Sequence, residues 1–166
     1  MAASEPAVAG LNLSIERMTE HDLLDVCRIE QVSDLSAWGW DAYHKELQSI
    51  PESIMLVARV DSAFHGTEIV GFIVARLIAG ELHINNVAVR PDFRRQGVGA
   101  RLVMTTLYLA TQRGATVAYL EVRARNDAAQ VLYQRCGFTF TGRRKNYYRQ
   151  PVEDALLMTA SLKGSS

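Results

Sequence analysis

Apolar and polar positions alternate over Leu13 to Met18, and apolar ones then recur three and four residues apart at Leu23, Val26 and Cys27. The first pattern is a strand with one buried face and the second a helix; Thr19, between them, is an N-cap residue type. Asp41 to Gln48 predicts a second short helix that Pro51 stops, set apart from the first by Ser36-Ala37-Trp38-Gly39-Trp40. Three runs rich in β-branched residues follow, Ile54 to Val60, Ile69 to Ile78 and Leu82 to Val89, divided by Asp61 to Thr67 and by Ala79-Gly80. Such connections predict an antiparallel meander. A helix from Val98 to about Gln112, ended by Gly114, leads to a strand at Val117 to Val122. Asn126 caps a helix whose apolar face is Ala129, Leu132, Tyr133 and Cys136, and Gly137 closes it. Two last strands, Phe138 to Arg144 and Ala155 to Leu162, flank an Asn146-Tyr147-Tyr148 loop.

The sum is βααβββαβαββ, an α/β chain with a mixed sheet, in one domain over 13–162, with 1–12 a disordered lead-in and 163–166 a disordered tail. Strand, helix and strand around Val89 to Val122 require a right-handed parallel crossover.

Composition narrows the class of partner. Apolar residues make up 48% of the chain and charged ones 22%, and no apolar run approaches the ~20 residues of a membrane span. Lys+Arg and Asp+Glu balance at 18 each, so no global field favours nucleic acid. Arg143, Arg144, Lys145 and Arg149 form a local basic concentration, read as a solvated hairpin face ahead of a binding patch. Cys27 and Cys136 sit in apolar helical patterns, without zinc or disulfide spacing. His21, His44, His65 and His83 show no metal spacing either and read as surface or capping groups. No secretory signal is legible in Met1 to Gly10, so the expected location is the cytoplasm.

The stretch from Val87 to Ala100 breaks a strand at Pro91 and feeds Arg94-Arg95-Gln96-Gly97-Val98-Gly99 into a helix. The glycines let backbone approach a ligand, and the helix start near Val98 aims unpaired N–H groups at an anion. The spacing is neither that of a P-loop nor of a dinucleotide fingerprint. Two side chains further along could carry proton transfer. Glu121 is a carboxylate in an otherwise apolar strand, on the face of Val117 and Tyr119, either salt-bridged or catalytic. Tyr133 lies on the core face of its helix, where packing is the plainer role.

Arg94, Gly97 and Gly99 resemble the R/Q-x-x-G-x-G/A pyrophosphate motif of the GCN5-related N-acetyltransferases (GNAT), and the element order resembles that fold from Leu13 to Leu162. In that fold the two parallel strands splay, and the resemblance implies that the backbone of Val87 and Val89 pairs with the amides of a pantetheine arm. The loop Arg94, Arg95, Gln96, Gly97, Val98 and Gly99 would hold the phosphates, with acetyl-CoA as the implied cofactor. Glu121-Val122-Arg123-Ala124, Asn126, Val131-Leu132-Tyr133, Cys136-Gly137-Phe138 and Arg143 to Tyr148 are closely similar to the RimI branch, the ribosomal-protein-alanine N-terminal acetyltransferases. That branch departs from this chain modestly, with Gln also common at Arg94 and Ala-Leu at Val131-Leu132. The resemblance implies Glu121 as general base, Tyr133 as general acid toward the thiolate and Asn126 near the cofactor.

Ordinary pKa values favour an N-terminal nucleophile: an α-amine near 8 is about a tenth neutral at pH 7, a lysine near 10.4 in roughly one molecule per few thousand. The backbone N–H of Ala88 or Val89 is the candidate for the oxyanion. Trp38, Trp40, Tyr147 and Tyr148, in turn-rich segments, read as either a substrate-facing set or a lid on the core. Glu30 resembles an acidic position facing the incoming peptide in related enzymes, with an ordinary helix-end carboxylate as the alternative. The implied activity is acetyl transfer to an alanine-starting ribosomal or other protein, by a monomer or weak dimer with no nucleic-acid or membrane partner. A lysine or small-amine acetyltransferase and a non-catalytic acyl-CoA-binding module are the competing readings.

Overall fold

The computed structural model describes residues 12–33, 37–49, 51–62, 64 and 66–163. Most of the expected lead-in, His65 and the last residues therefore lie outside it. Asn12 alone of the lead-in is described, and its amide donates to Asp61 at 2.9 Å.

The elements are β1 (Leu13–Arg17), α1 (Leu23–Gln31), α2 (Gly39–Leu47), β2 (Ser53–Ser62), β3 (Gly66–Ile78), β4 (Glu81–Val89), α3 (Val98–Gln112), β5 (Val117–Arg123), α4 (Asp127–Arg135), β6 (Thr139–Arg149) and β7 (Val152–Ser161). Thr19 caps a 3-10 turn at Glu20–Asp22 that runs into α1, and the Asp22 carboxylate accepts the Thr19 N–H at 2.8 Å. The seven strands form one sheet in the order β1-β2-β3-β4-β5-β7-β6, antiparallel except for the β4–β5 pair.

One expectation fails at the end of the chain. Tyr147 and Tyr148 are not in a loop but inside β6, which runs on to Arg149 before turning at Gln150-Pro151. The polar run that suggested a loop is a bulge: Asn146 has φ +52°, and Asp154 binds both the Asn146 N–H at 2.9 Å and Arg143 Nε at 2.7 Å. Pairing then resumes at Tyr148 opposite Glu153.

The helices sit on opposite faces of the sheet. Val98, Leu102, Val103, Leu107 and Ala110 of α3 join Tyr133 of α4, and Cys136 just after it, in a core over Leu56, Ile73, Ile84 and Leu120. On the other face Leu23, Val26 and Ile29 of α1 and Tyr43 of α2 pack on Val57, Phe72 and Val74. Central β2 and β3 are buried on both faces, which explains their near-continuous apolar runs.

Parallel pairing of β4 with β5 runs from Glu81 opposite Val117 only as far as Ile84 opposite Leu120. It ends beside a bulge, because the β3 partners jump from Ala75 opposite Ile84 to Val74 opposite Asn86, leaving Asn85 extra. The bulge also flips the faces: Leu82 and Ile84 join the α3/α4 core, whereas Ala88 joins the α1/α2 core. Beyond it β4 follows β3, β5 follows β7, and a gap opens between them.

Candidate active site

The backbone on the β4 side of the gap is partly unpaired. Arg90 N–H donates to Val70 C=O at 2.8 Å, and the register sets Ala88 opposite Phe72, so alternation turns the Ala88 amide into the ladder with β3. Val87 and Val89 turn the other way, into the gap. Of the two amides expected to serve an oxyanion, Ala88 is therefore engaged and Val89 is the one that faces the opening. The Val89 carbonyl accepts Arg94 Nε at 3.1 Å, which ties the glycine loop to the strand end.

That loop enters α3 through Gly97, whose φ of +81° is left-handed and suits a residue without Cβ. Gly99 has a different reason to be glycine: a Cβ there would stand 3.0 Å from Leu132 Cδ2, so its absence lets α3 and α4 pack closely. Gln96 turns back to the Asp92 carbonyl at 3.3 Å and does not line the cleft beside the loop. Arg94, Arg95, Gly97, Val98 and Gly99 do line it, together with Arg125 and Arg135. This cleft encloses about 870 Å³. Two of its arginines escape sequence reasoning, since they are brought in by the β5–α4 turn and by the end of α4.

Local rules place the next two residues. Asn126 Oδ1 accepts the Ala129 N–H at 3.1 Å and caps α4. The other end closes as a Schellman turn, with Phe138 N–H on the Tyr133 carbonyl at 3.0 Å, Gly137 N–H on that of Gln134 at 3.1 Å, and Gly137 at φ +99°. Phe138 packs edge-on against the Tyr133 ring, centroids 6.0 Å apart, so Cys136-Gly137-Phe138 fixes the tyrosine. Tyr133 is 9% exposed, and burial first, then the neighbouring Tyr148 and Cys136, push its phenol pKa well above the ordinary value.

Glu121 is 16% exposed in its side chain and lines a smaller cavity of about 260 Å³, where the strands part, with His83, Asn86, Trp38, Tyr147 and Tyr148. His83 Nε2 stands 2.7 Å from Glu121 Oε2. This contact answers how a carboxylate tolerates the strand; His83 is at the surface as expected, and the pairing with Glu121 is what the sequence did not show. The hydrogen bond from His83 holds the Glu121 pKa below the ordinary carboxylate value, against desolvation. Arg123 stacks on Tyr148 at 4.1 Å and pairs with Glu153 at 3.3 Å, holding that ring in the wall. Burial, with Tyr147 adding to it, pushes the Tyr148 phenol up to about 12.

Glu30 and the two tryptophans separate. Glu30 is 3% exposed, and its carboxylate accepts Trp38 N–H at 3.0 Å, Gly39 N–H at 3.1 Å and the Tyr43 hydroxyl. Asn86 in turn donates to Tyr43 Oη at 3.0 Å. Glu30 thus lies behind the cavity wall instead of facing a peptide, and it ties α1 to α2, whose Tyr43 carries the link on to Asn86 of β4. Trp38 stacks on Tyr43, centroids 5.4 Å apart, and lines the cavity; Trp40 stacks on His44 at 4.6 Å and does not. Asn86 and Tyr43 were missed. The paired asparagines Asn85-Asn86 inside an apolar strand were the available signal, since they break its alternation where the bulge forms.

Comparison with known proteins agrees with this geometry. The acetyltransferase (GNAT) family pattern matches residues 21–138. A Bacillus subtilis protein described as a candidate ribosomal protein bS18-alanine N-acetyltransferase is 32% identical, over 90% of this chain and 95% of its own. The N-alpha-acetyltransferase RimI of Mycobacterium tuberculosis is 36% identical over 73% of each chain. Among solved structures, the ribosomal-protein-S18-alanine N-acetyltransferase of Escherichia coli superposes with a TM-score of 0.79 at 26% identity, over 93% of this chain and 96% of that one. The match to the family pattern spans most of the chain, the Bacillus relative and the Escherichia structure match it nearly end to end, and the splayed pair is at its centre: this chain belongs to the GNAT family of acetyltransferases.

Proposed function

We propose that the chain moves an acetyl group from acetyl-CoA to the α-amine of a protein that begins with alanine, a ribosomal protein first among them. The observation that carries this reading is a shared wall: Val87, Arg123, Asn126 and Tyr133 line both the arginine-rich cleft and the Glu121 cavity. A group held in one meets a group held in the other at Tyr133. The names of the Bacillus, Mycobacterium and Escherichia relatives support the same acceptor.

The cleft fits coenzyme A. Arg94, Arg95, Arg125 and Arg135 with the first N–H groups of α3 would hold its phosphates, and the gap-facing amides and carbonyls of Val87 and Val89 its pantetheine arm. When bound, the cofactor supplies an acyl group activated as a thioester. Val89 offers its N–H to charge that develops on a carbonyl oxygen. Glu121 is ionised at neutral pH and draws an ammonium to the cavity. Tyr133 keeps its proton at neutral pH, because burial raises its pKa, and is a donor at Oη toward a leaving thiolate. Trp38, Tyr147 and Tyr148 wall the cavity and limit water.

Free-thiol release from acetyl-CoA, with and without an alanine-starting peptide, tests the reading. Release that depends on the peptide is expected. Tight cofactor binding without turnover would leave an acyl-CoA-binding module instead.

A further inference from the structure

β6 is the edge strand of the sheet and pairs with β7 alone. Of its 11 residues all but the half-buried Tyr148 are exposed, so no buried face fixes how its far end lies on β7. Pairing runs from Gly142 to Arg144, opposite Leu157 to Ala155, and resumes with Tyr148 opposite Glu153 and Arg149 opposite Val152. Between these stretches Lys145, Asn146 and Tyr147 stand against one residue, Asp154.

A second register is open to this hairpin. Drawing the bulge straight would set Asn146 opposite Glu153 and Tyr147 opposite Val152, and the turn would lengthen from Gln150-Pro151 to 148–151. Both loop lengths are common in hairpins. Such a slide moves the strand by an even step and keeps every side chain on its face, so the alternation of the strand does not oppose it. It would carry Tyr148 about 7 Å along β7 and into the turn.

Resting on the acetyl-transfer reading above, we propose that Asp154 is a positioning residue for the acceptor: it selects the bulged register and thereby sets Tyr147 and Tyr148 in the cavity wall. β7 is the fixed side of the hairpin. The Asp154 carbonyl accepts the Ala124 N–H at 3.0 Å, and the neighbouring Glu153 carboxylate accepts the Arg125 N–H at 2.7 Å and pairs with Arg123 at 3.3 Å. From that strand the Asp154 carboxylate reaches across to β6, where Oδ1 accepts the Asn146 N–H at 2.9 Å and Oδ2 accepts Arg143 Nε at 2.7 Å. The first bond holds Asn146 at φ +52°, a left-handed conformation that the straight register does not contain. The second ties the same carboxylate to the stretch where pairing is regular.

The consequence is carried by Tyr148. In the bulged register it comes level with Glu153, and Arg123, already paired with that carboxylate, stacks on its ring at 4.1 Å. Tyr147 stands edge-on to it, centroids 5.1 Å apart, and both rings wall the Glu121 cavity. In the straight register Asn146 would take the place beside Arg123. Asp154 does not itself line the cavity, so it acts through the tyrosines.

Cross-strand NMR contacts read the register without turnover. Tyr148 should contact Glu153 in the wild-type protein, and Asn146 should contact it instead in Asp154→Ala. Asp154→Asn keeps an oxygen for the Asn146 N–H and should hold the wild-type register. Asn146→Val, which sets a β-branched residue at the left-handed position while leaving Asp154 in place, should slide as Asp154→Ala does. In turnover, Asp154→Ala should raise the KM for an alanine-starting peptide about tenfold with kcat and acetyl-CoA affinity unchanged, and Asp154→Asn should stay near the wild-type value. Wild-type contacts in Asp154→Ala overturn the proposal, and so does a slide that leaves the peptide KM unmoved. Absence of peptide acetylation by the wild-type protein would instead overturn the acetyl-transfer reading, while the cross-strand contacts would still decide the register.

Discussion

The two faces of the sheet are built by different means. On the α3/α4 face apolar side chains at helical spacing, an N-cap at Asn126 and a glycine-closed turn at Gly137 produce the core and the cofactor-side cleft together. On the α1/α2 face the apolar cluster is smaller, and buried polar groups hold it: the Glu30 carboxylate on three donors, with Asn86 on Tyr43, and Asp22 on Arg59 at 2.5 Å. In the proposed reading the first face presents mainly backbone and arginines to the cofactor, and the second adds Trp38 to the wall of the acceptor cavity. The proposed cofactor cleft therefore follows from local rules, whereas the proposed acceptor cavity depends on contacts between residues far apart in the chain.

Breaking the polar face should have the largest effect. Glu30→Ala leaves two backbone N–H groups and the Tyr43 hydroxyl without their acceptor, and we expect a loss of about 3 kcal/mol by denaturant unfolding. Where the variant still folds, the KM for peptide should rise through Trp38 while acetyl-CoA affinity holds. A matching change on the other face is Gly99→Val, which sets side-chain carbon against Leu132 at a site with 3.0 Å of clearance. It should cost about 2 kcal/mol and weaken acetyl-CoA binding in calorimetric titration, with the peptide KM unmoved.

A smaller effect separates the faces by pH. Glu121 has a lowered pKa, so its contribution to stability is present above about 4.5 and lost as pH falls through the folded value. His83 has a raised one, so its contribution is present below about 6.5 and lost as pH rises through the folded value. Stability from the pair is complete between those limits. With His83 half exposed, solvent screening holds it under about 1 kcal/mol. Thermal unfolding scanned across pH should show this shoulder in the wild-type protein and lose it in Glu121→Gln.

How far the sequence could be read follows the same division. Val98 to Gln112 appears in the structure with the expected bounds, and Asn126, Tyr133 and Gly137 keep their local roles, because capping and helical period need only neighbours in the chain. The Tyr147-Tyr148 strand was hidden, since the bulge that carries it depends on Asp154 across the hairpin. His83 was hidden for a related reason. In Glu81-Leu82-His83-Ile84 it occupies an ordinary outward position, and only the parallel register with β5 brings it to Glu121. Glu30 showed its acidity but not its burial, which three donors from the α2 start and Tyr43 make tolerable.

The central claim is that the cavity between the splayed strands serves an N-terminal α-amine. Mass spectrometry of an alanine-starting ribosomal peptide carrying an internal lysine, with its N-terminus either free or formylated, tests it most directly. The account predicts one acetyl group on the free peptide, at the alanine nitrogen, and almost none on the formylated one. Equal labelling of both peptides at the lysine would contradict it.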